Sequence, residues 1–203
     1  MIKTFIALAL LALPAALAAQ PAPAAEAARP LRKPDVAYEP TPQHKVREML
    51  DLAGVKAGDV VYDLGSGDGR IPITAARDYG ARGVGFDLNP KLVERARANA
   101  VAANVTDRVS FRNEDLFTAN ISEATVVTLF LWPTINKKLQ PKLLAELKPG
   151  TRIVGYWHSM DGWVPDKVLP GGILGGRIFL WTIPPRSAGG RATDQRQQQG
   201  TGR

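Results

Sequence analysis

The sequence predicts an α/β fold: a doubly wound, mostly parallel sheet flanked by helices, in a single domain. Three observations carry that expectation. Short apolar runs alternate with runs of helical periodicity from about residue 43 onward, which is the pattern of a wound sheet. Glycine, proline or asparagine stands at nearly every junction between them. The most hydrophobic run, Ala124 to Leu131, is β-branched and bounded by turn residues, as a central strand buried on both faces would be.

The elements follow in order. Gln43 to Ala53 places Val46, Met49, Leu50 and Ala53 on one helical face, with Pro42 in the first turn, Thr41 as its cap and Gly54 at its exit. Asp59 to Asp63 is a short buried strand, and Arg70 to Tyr79 a helix stopped by Gly80. Gly83 to Asp87 is the second strand, and Pro90 to Ala103 a long helix capped by Asn89. Val109 to Arg112 is the third strand and Ala124 to Leu131 the fourth. Asn136 to Leu147 is helical, with Pro133 and Thr134 near its start and Pro149-Gly150 after its end. Arg152 to Trp157 and Arg177 to Ile183 complete the sheet. Right-handed crossovers then bring every strand's carboxyl end to one edge, where such sheets bind ligands.

The chain of 203 residues has ends that stand apart from this pattern. Lys3 precedes the apolar run Phe5 to Leu13, Pro14 breaks it, and Ala16-Leu17-Ala18 offers a cleavage site, so residues 1–19 read as an export signal. An uncleaved anchor is the alternative, but the run falls well short of the roughly 20 residues a spanning helix needs, so no stable membrane span is expected. The signal implies an exported or periplasmic protein, and a cytoplasmic one if the segment is not used. Residues 20–37 read as an Ala/Pro-rich linker, 38–185 as the folded domain and 186–203 as a disordered tail.

The formal net charge is +7, but the ends supply much of it: residues 44–185 hold 18 basic against 15 acidic side chains. So mild a surplus argues against a nucleic-acid partner. With no cysteine there is neither disulfide nor thiolate metal site, and His44 and His158 lie too far apart in sequence to suggest zinc. A monomer is expected.

Candidate chemistry begins at Val61-Tyr62-Asp63-Leu64-Gly65-Ser66-Gly67-Asp68-Gly69. A buried strand here runs into a loop with glycine at alternate positions, which a ligand can approach closely. It is not the dinucleotide fingerprint, because that spacing needs glycine where Arg70 stands. An acid two residues before the first glycine suits a cationic ligand better than a pyrophosphate, and S-adenosylmethionine, with its sulfonium and ammonium, meets that requirement. Asp87 closes the second strand 24 residues after Asp63, where a carboxylate can accept both ribose hydroxyls of a nucleoside. Asp115 follows the third strand; it could accept the adenine amine, with Leu116 or Phe117 over the ring, or it could cap a short helix near Thr118.

Together, Asp63-x-Gly65-x-Gly67-x-Gly69, Asp87 and Asp115 resemble a class I methyltransferase that uses S-adenosylmethionine as cofactor. Tyr38-Glu39-Pro40-Thr41-Pro42, Val61 to Ile71, Ile121 to Thr128 and Leu143 to Thr151 narrow the likeness. These pieces resemble the archaeal protein-lysine methyltransferases and the related mitochondrial proteins, whose fold is like that of the histone-lysine methyltransferase linked to telomeric silencing. The likeness covers about residues 38–163.

The resemblance implies a Rossmann-like methyltransferase fold. It also implies a cofactor-binding set of Tyr38, Thr41, Asp63, Gly65, Ser66, Gly67, Gly69, Asp87, Leu88, Asp115 and Leu116. In it, Tyr38 and Thr41 lie over the methionine end, Asp63 near the ammonium, Asp87 on the ribose and Asp115 on the adenine. The stretch Thr128 to Pro133 would border the acceptor slot, and Phe130, Trp132 and Tyr156 are the candidate catalytic residues on that side. Tyr156 and His158 are also the candidate bases. Base-modifying amine methyltransferases usually carry Asn or Asp before Pro-Pro and an aromatic at that slot, and this chain does not. Two departures stand out: Pro165 to Gly176 is short and glycine-rich where the family has a fuller strand pair, and Tyr156-Trp157-His158 is unusually aromatic. The expected partner is a lysine-bearing protein. A small-molecule acceptor is the alternative, as is an exported binding protein without turnover, since S-adenosylmethionine is made in the cytosol.

Overall fold

Successive strand residues face opposite layers, and burial follows that period of two. Val60, Tyr62, Leu64, Val127, Leu129, Ile153 and Trp181 pack in one layer; Val61, Val126, Val154 and Leu180 pack in the other. The computed structural model describes residues 31–35, 37–172 and 176–186. The expected signal segment, much of the Ala/Pro-rich linker and the tail beyond Arg186 lie outside the described residues.

The element order is α1 (Gln43–Leu52), β1 (Val60–Leu64), α2 (Arg70–Tyr79), β2 (Arg82–Phe86), α3 (Pro90–Ala102), β3 (Val109–Arg112), β4 (Val126–Leu129), α4 (Pro133–Glu146), β5 (Arg152–Tyr156), β6 (Lys167–Leu169) and β7 (Ile178–Thr182). One seven-stranded sheet has the order β3-β2-β1-β4-β5-β7-β6. Strands β3 to β5 in that order are parallel, and β7 returns antiparallel beside β5 with β6 antiparallel on its edge. The chain winds outward from β1 through β2 to β3, then returns to β4 on the other side of β1. The switch point therefore lies between β1 and β4, above Leu64 and Leu129.

α1 packs Val46, Met49 and Leu50 on one face of the sheet beside Ile71 and Ala75 of α2. Next to them, Ile73 and Ala76 of α2 meet Val93, Ala96 and Ala100 of α3 over Phe111. The opposite face is covered by Ile135, Leu139 and Leu143 of α4. Their spacing of four puts all three on one stripe, and each fully buried side chain is worth about 2 kcal/mol of transfer free energy.

Asn89 caps α3 as expected, accepting from the Lys91 N–H at 3.0 Å. The expected Thr41 cap is corrected: Pro42 holds that place on α1 with no side-chain bond. Thr41 is buried instead, and its carbonyl accepts from the Arg70 guanidinium at 2.8 Å. Strand β6 is not expected from the glycine-rich segment; it forms because Asp166 to Leu169 can pair with the otherwise open edge of β7. Arg32 and Asp35, inside the stretch read as linker, pack on the domain, where Arg32 pairs with Asp115 and lies 5.0 Å over the Phe117 ring.

Candidate active site

The loop after β1 is stitched to the end of β2. The Gly65 and Ser66 N–H groups both donate to the Phe86 carbonyl at 2.9 Å. The Gly67 N–H donates to Asp87 Oδ2 at 2.9 Å, and the Asn89 N–H donates to Oδ1 at 2.8 Å. Asp87 is thereby oriented from both sides, and each oxygen keeps lone-pair capacity for a further donor. Gly67 has φ +52°, and a Cβ there would lie 2.2 Å from the Tyr38 ring. The absence of a side chain lets that aromatic pack closely against the loop. Gly69 is different: a Cβ on it would strike Phe111 and Ala96, so it serves the packing of α2 on its neighbours. Gly65 and Ser66 border the hollows described below, whereas Gly67 and Gly69 shape the loop behind them.

Asp63, next to last in β1, is almost completely buried, and among the described residues its carboxylate accepts only from the Thr128 hydroxyl at 2.7 Å. Burial pushes its carboxyl up to about 7, the Thr128 hydrogen bond opposes this, and the nearby Asp87 and Asp68 charges add to the rise. Asp68 behaves oppositely. Burial would raise it, but the Arg70 guanidinium grips both oxygens and holds it below the usual carboxylate range. The Ser66 hydroxyl is buried with no partner among the described residues. An uncompensated acid and an orphaned hydroxyl at one strand-to-loop junction are what a polar, cationic ligand would satisfy.

Three adjoining hollows open here. The first, about 220 Å³, is bordered by Asp87, Leu88, Leu116, Phe86 and Gly65, and on its outer side by Arg32, Asp35 and Tyr38. A tighter one of about 30 Å³ is bordered by Asp63, Ser66, Thr41, Asp68 and Tyr38. The third, about 240 Å³, is bordered by Leu131, Trp132, Trp157 and His158. Glu39 and Phe130 border all three. Carboxylates at two depths, apolar side chains beside them and an unpaired hydroxyl between fit the parts of S-adenosylmethionine.

Two expected site residues stand elsewhere. Asp115 does not border these hollows: its carboxylate is taken by Arg32 and by the Phe117 N–H at 3.0 Å, while its carbonyl accepts from Thr118 and Ala119. That is the capping alternative, reinforced by an ion pair that sequence spacing does not reveal. Its neighbours Glu114 and Leu116 reach the first hollow instead. Tyr156 is only 3% exposed and backs Phe130, ring to ring at 4.9 Å. Being the last strand residue, it points into the core, and Trp157 and His158 are the residues that reach the open cleft. Burial holds the His158 imidazole below its ordinary value, with Glu39 partly offsetting it. Glu39, Phe86, Arg32 and Trp157 are bordering residues that the sequence does not single out; an aromatic triplet just past a strand end is the available signal for Trp157.

Comparison with known proteins agrees with this geometry. The ANTKMT methyltransferase domain matches residues 63–167. Over 153 residues the chain is 45% identical to the protein-lysine N-methyltransferase of Saccharolobus islandicus, covering 74% of this chain and 95% of that protein. It is 37% identical over 141 residues to the adenine nucleotide translocase lysine N-methyltransferase of Mus musculus, covering 69% of this chain and 60% of that one. A crystal structure described as an RNA methyltransferase from Salinibacter ruber in complex with S-adenosyl-L-homocysteine superposes with a TM-score of 0.71. It is 53% identical and covers 73% of this chain and 95% of that one. The chain is thus a class I S-adenosylmethionine-dependent methyltransferase and belongs to the ANTKMT methyltransferase domain family, in the lysine methyltransferase branch.

Proposed function

We propose that the protein methylates the ε-amine of a lysine side chain in a protein substrate. The observation that carries this reading is the junction at Glu39 and Phe130, where a carboxylate-lined hollow meets an exposed aromatic cleft. S-adenosylmethionine, when bound, supplies a methyl group on a sulfonium that needs no acid to leave. The chain's residues then have to bind, orient and exclude water. Asp87, held by two backbone N–H groups, receives the ribose hydroxyls. Asp63 faces the ammonium and Tyr38 covers the loop. Phe130 and Leu131 wall the passage between the two sides.

A lysine with an ordinary pKa of about 10.4 must lose a proton first, at a cost of about 4.6 kcal/mol near pH 7. An apolar passage beside a bound cation lowers that cost by favouring the neutral amine. The displaced proton leaves through the cleft, where Glu39 and His158 are the groups able to receive it.

RNA is a second reading, suggested by the description of the Salinibacter ruber relative. The modest charge of residues 44–185 and the sequence of 128–133 favour lysine over it. Incubation with labelled cofactor and, separately, protein extract, RNA and metabolite extract decides between them: label on lysine is the expected result, and label confined to RNA or metabolites contradicts it. Asp87→Ala is expected to abolish measurable cofactor binding, and retained micromolar affinity contradicts the assignment. Residues 1–19 are proposed to direct export; the mature N-terminus, read by mass spectrometry after fractionation, tests that.

A further inference from the structure

Trp157 is a bulky residue at φ +70°, one of two non-glycine residues with positive φ among those described. The His158 N–H donates back to the Tyr156 carbonyl at 2.9 Å, closing a three-residue turn around it, while the Trp157 N–H donates to the Arg177 carbonyl at 2.8 Å. Such a turn is strained, at about 1–3 kcal/mol, and persists where its surroundings impose it. Among the described residues, Gly176 and Tyr156 lie against its side chain. A Cβ on Gly176 would lie 2.3 Å from the indole, and Tyr156 meets it edge-on at 5.8 Å. Nearly half of the Trp157 residue, 49%, stays exposed, and it borders both a hollow beside Pro170, Gly171 and Arg177 and the cleft. Trp132 is 55% exposed there and stacks with His158 at 5.7 Å and 24°.

Neither exposed indole adds to the core, and the strained backbone of Trp157 opposes folding. An occupant of the cleft accounts for both. Glu39 selects its charge: a carboxylate at the inner end draws an amine and repels a phosphate backbone. Aromatic faces add attraction for a cation and cover a methylene stem.

We infer that Trp157 is a specificity-determining residue for the acceptor, holding the stem of a lysine against Trp132 and His158 while Glu39 faces the amine. This rests on the proposed lysine reading. The informative variant is Trp157→Gly, which removes the indole and relaxes the backbone at once. The measurements are thermal stability, S-adenosylhomocysteine affinity by calorimetry, and steady-state kinetics with a set of unstructured peptides, each carrying one lysine. An RNA oligonucleotide and a small-molecule amine set are run alongside.

The expected result is a Tm equal to or above wild type and an unchanged affinity for S-adenosylhomocysteine. KM for the lysine peptides rises at least tenfold, and Trp157→Phe recovers most of the loss. A wild-type KM in Trp157→Gly overturns the Trp157 assignment and leaves the lysine activity standing. Wild-type turnover on RNA or small amines with none on any lysine peptide overturns the lysine reading, and this inference with it.

Discussion

Asp59 lies just before β1 and Asp63 just before its last residue, four positions apart and both nearly inaccessible, yet the fold treats them in opposite ways. At the amino end, Asp59 Oδ1 accepts from the Thr125 hydroxyl at 2.8 Å and Arg152 at 2.6 Å, and Oδ2 from the Lys56 N–H at 2.9 Å. Burial alone would raise its carboxyl, but these partners hold it below the ordinary range. At the carboxyl end, Asp63 has one hydroxyl for company and sits near 7. The first carboxylate is complete and ties the strand ends of the sheet's centre together. The second is left unfinished at the switch point, where a ligand can complete it. Burial of an acid is therefore not the functional signal in this protein; burial without a cation is.

The variants that separate the two ends differ in what they damage. Asp59→Ala leaves the half-buried Arg152 without its partner and is expected to cost about 3 kcal/mol of stability, read as a shift in the denaturant midpoint. Cofactor affinity of the folded fraction should hold. Asp63→Asn is expected to do the reverse, weakening S-adenosylhomocysteine binding at pH 8 by about 2 kcal/mol, or roughly thirtyfold, by calorimetry. It should also flatten the pH dependence of stability. The folded-state pKa of Asp63 lies above its ordinary 3.8, so the protonated form favours the fold: that contribution is complete below about pH 4 and is lost as pH rises through about 7. If both variants lose stability equally and neither loses affinity, the distinction between the two ends fails.

The smallest effect belongs to Arg32→Ala. Its pairing with Asp115 is partly exposed, and such pairs are worth about 1 kcal/mol or less. The wall formed by Arg32 and Asp35 over the first hollow should loosen, raising the dissociation rate of S-adenosylhomocysteine about threefold in stopped-flow measurements. No change in that rate would confine Arg32 to a structural part.

The same contrast explains what can be read from the sequence. Period-two burial, helical stripes and glycine punctuation depend on neighbours along the chain, so helix α2 and strand β3 emerge with their observed bounds and β4 at the centre of the sheet. The Gly65-to-Asp87 stitching is likewise foreshadowed, because a strand, a loop and the next strand's end must adjoin in a wound sheet. Partners brought from far away stay hidden. Arg32 reaches Asp115 across 83 residues and changes its role from exposed ligand to held cap. Arg152 reaches Asp59 across 93 and makes it structural. Tyr156 and Trp157 exchange places in the site for a different reason: the backbone turns sharply at Trp157, so strand alternation stops predicting direction there.

The most direct test of the account is the proton balance of cofactor binding. S-adenosylhomocysteine is titrated into the protein at pH 6.5 in buffers of differing ionisation enthalpy, and the slope of observed heat against that enthalpy gives the protons exchanged. With Asp63 near 7 when empty and ionised against the ligand's ammonium, wild type is expected to release a substantial fraction of a proton, and Asp63→Asn close to none. No release by the wild type, or the same release by both, would contradict the claim that Asp63 is the unfinished charge that the cofactor completes.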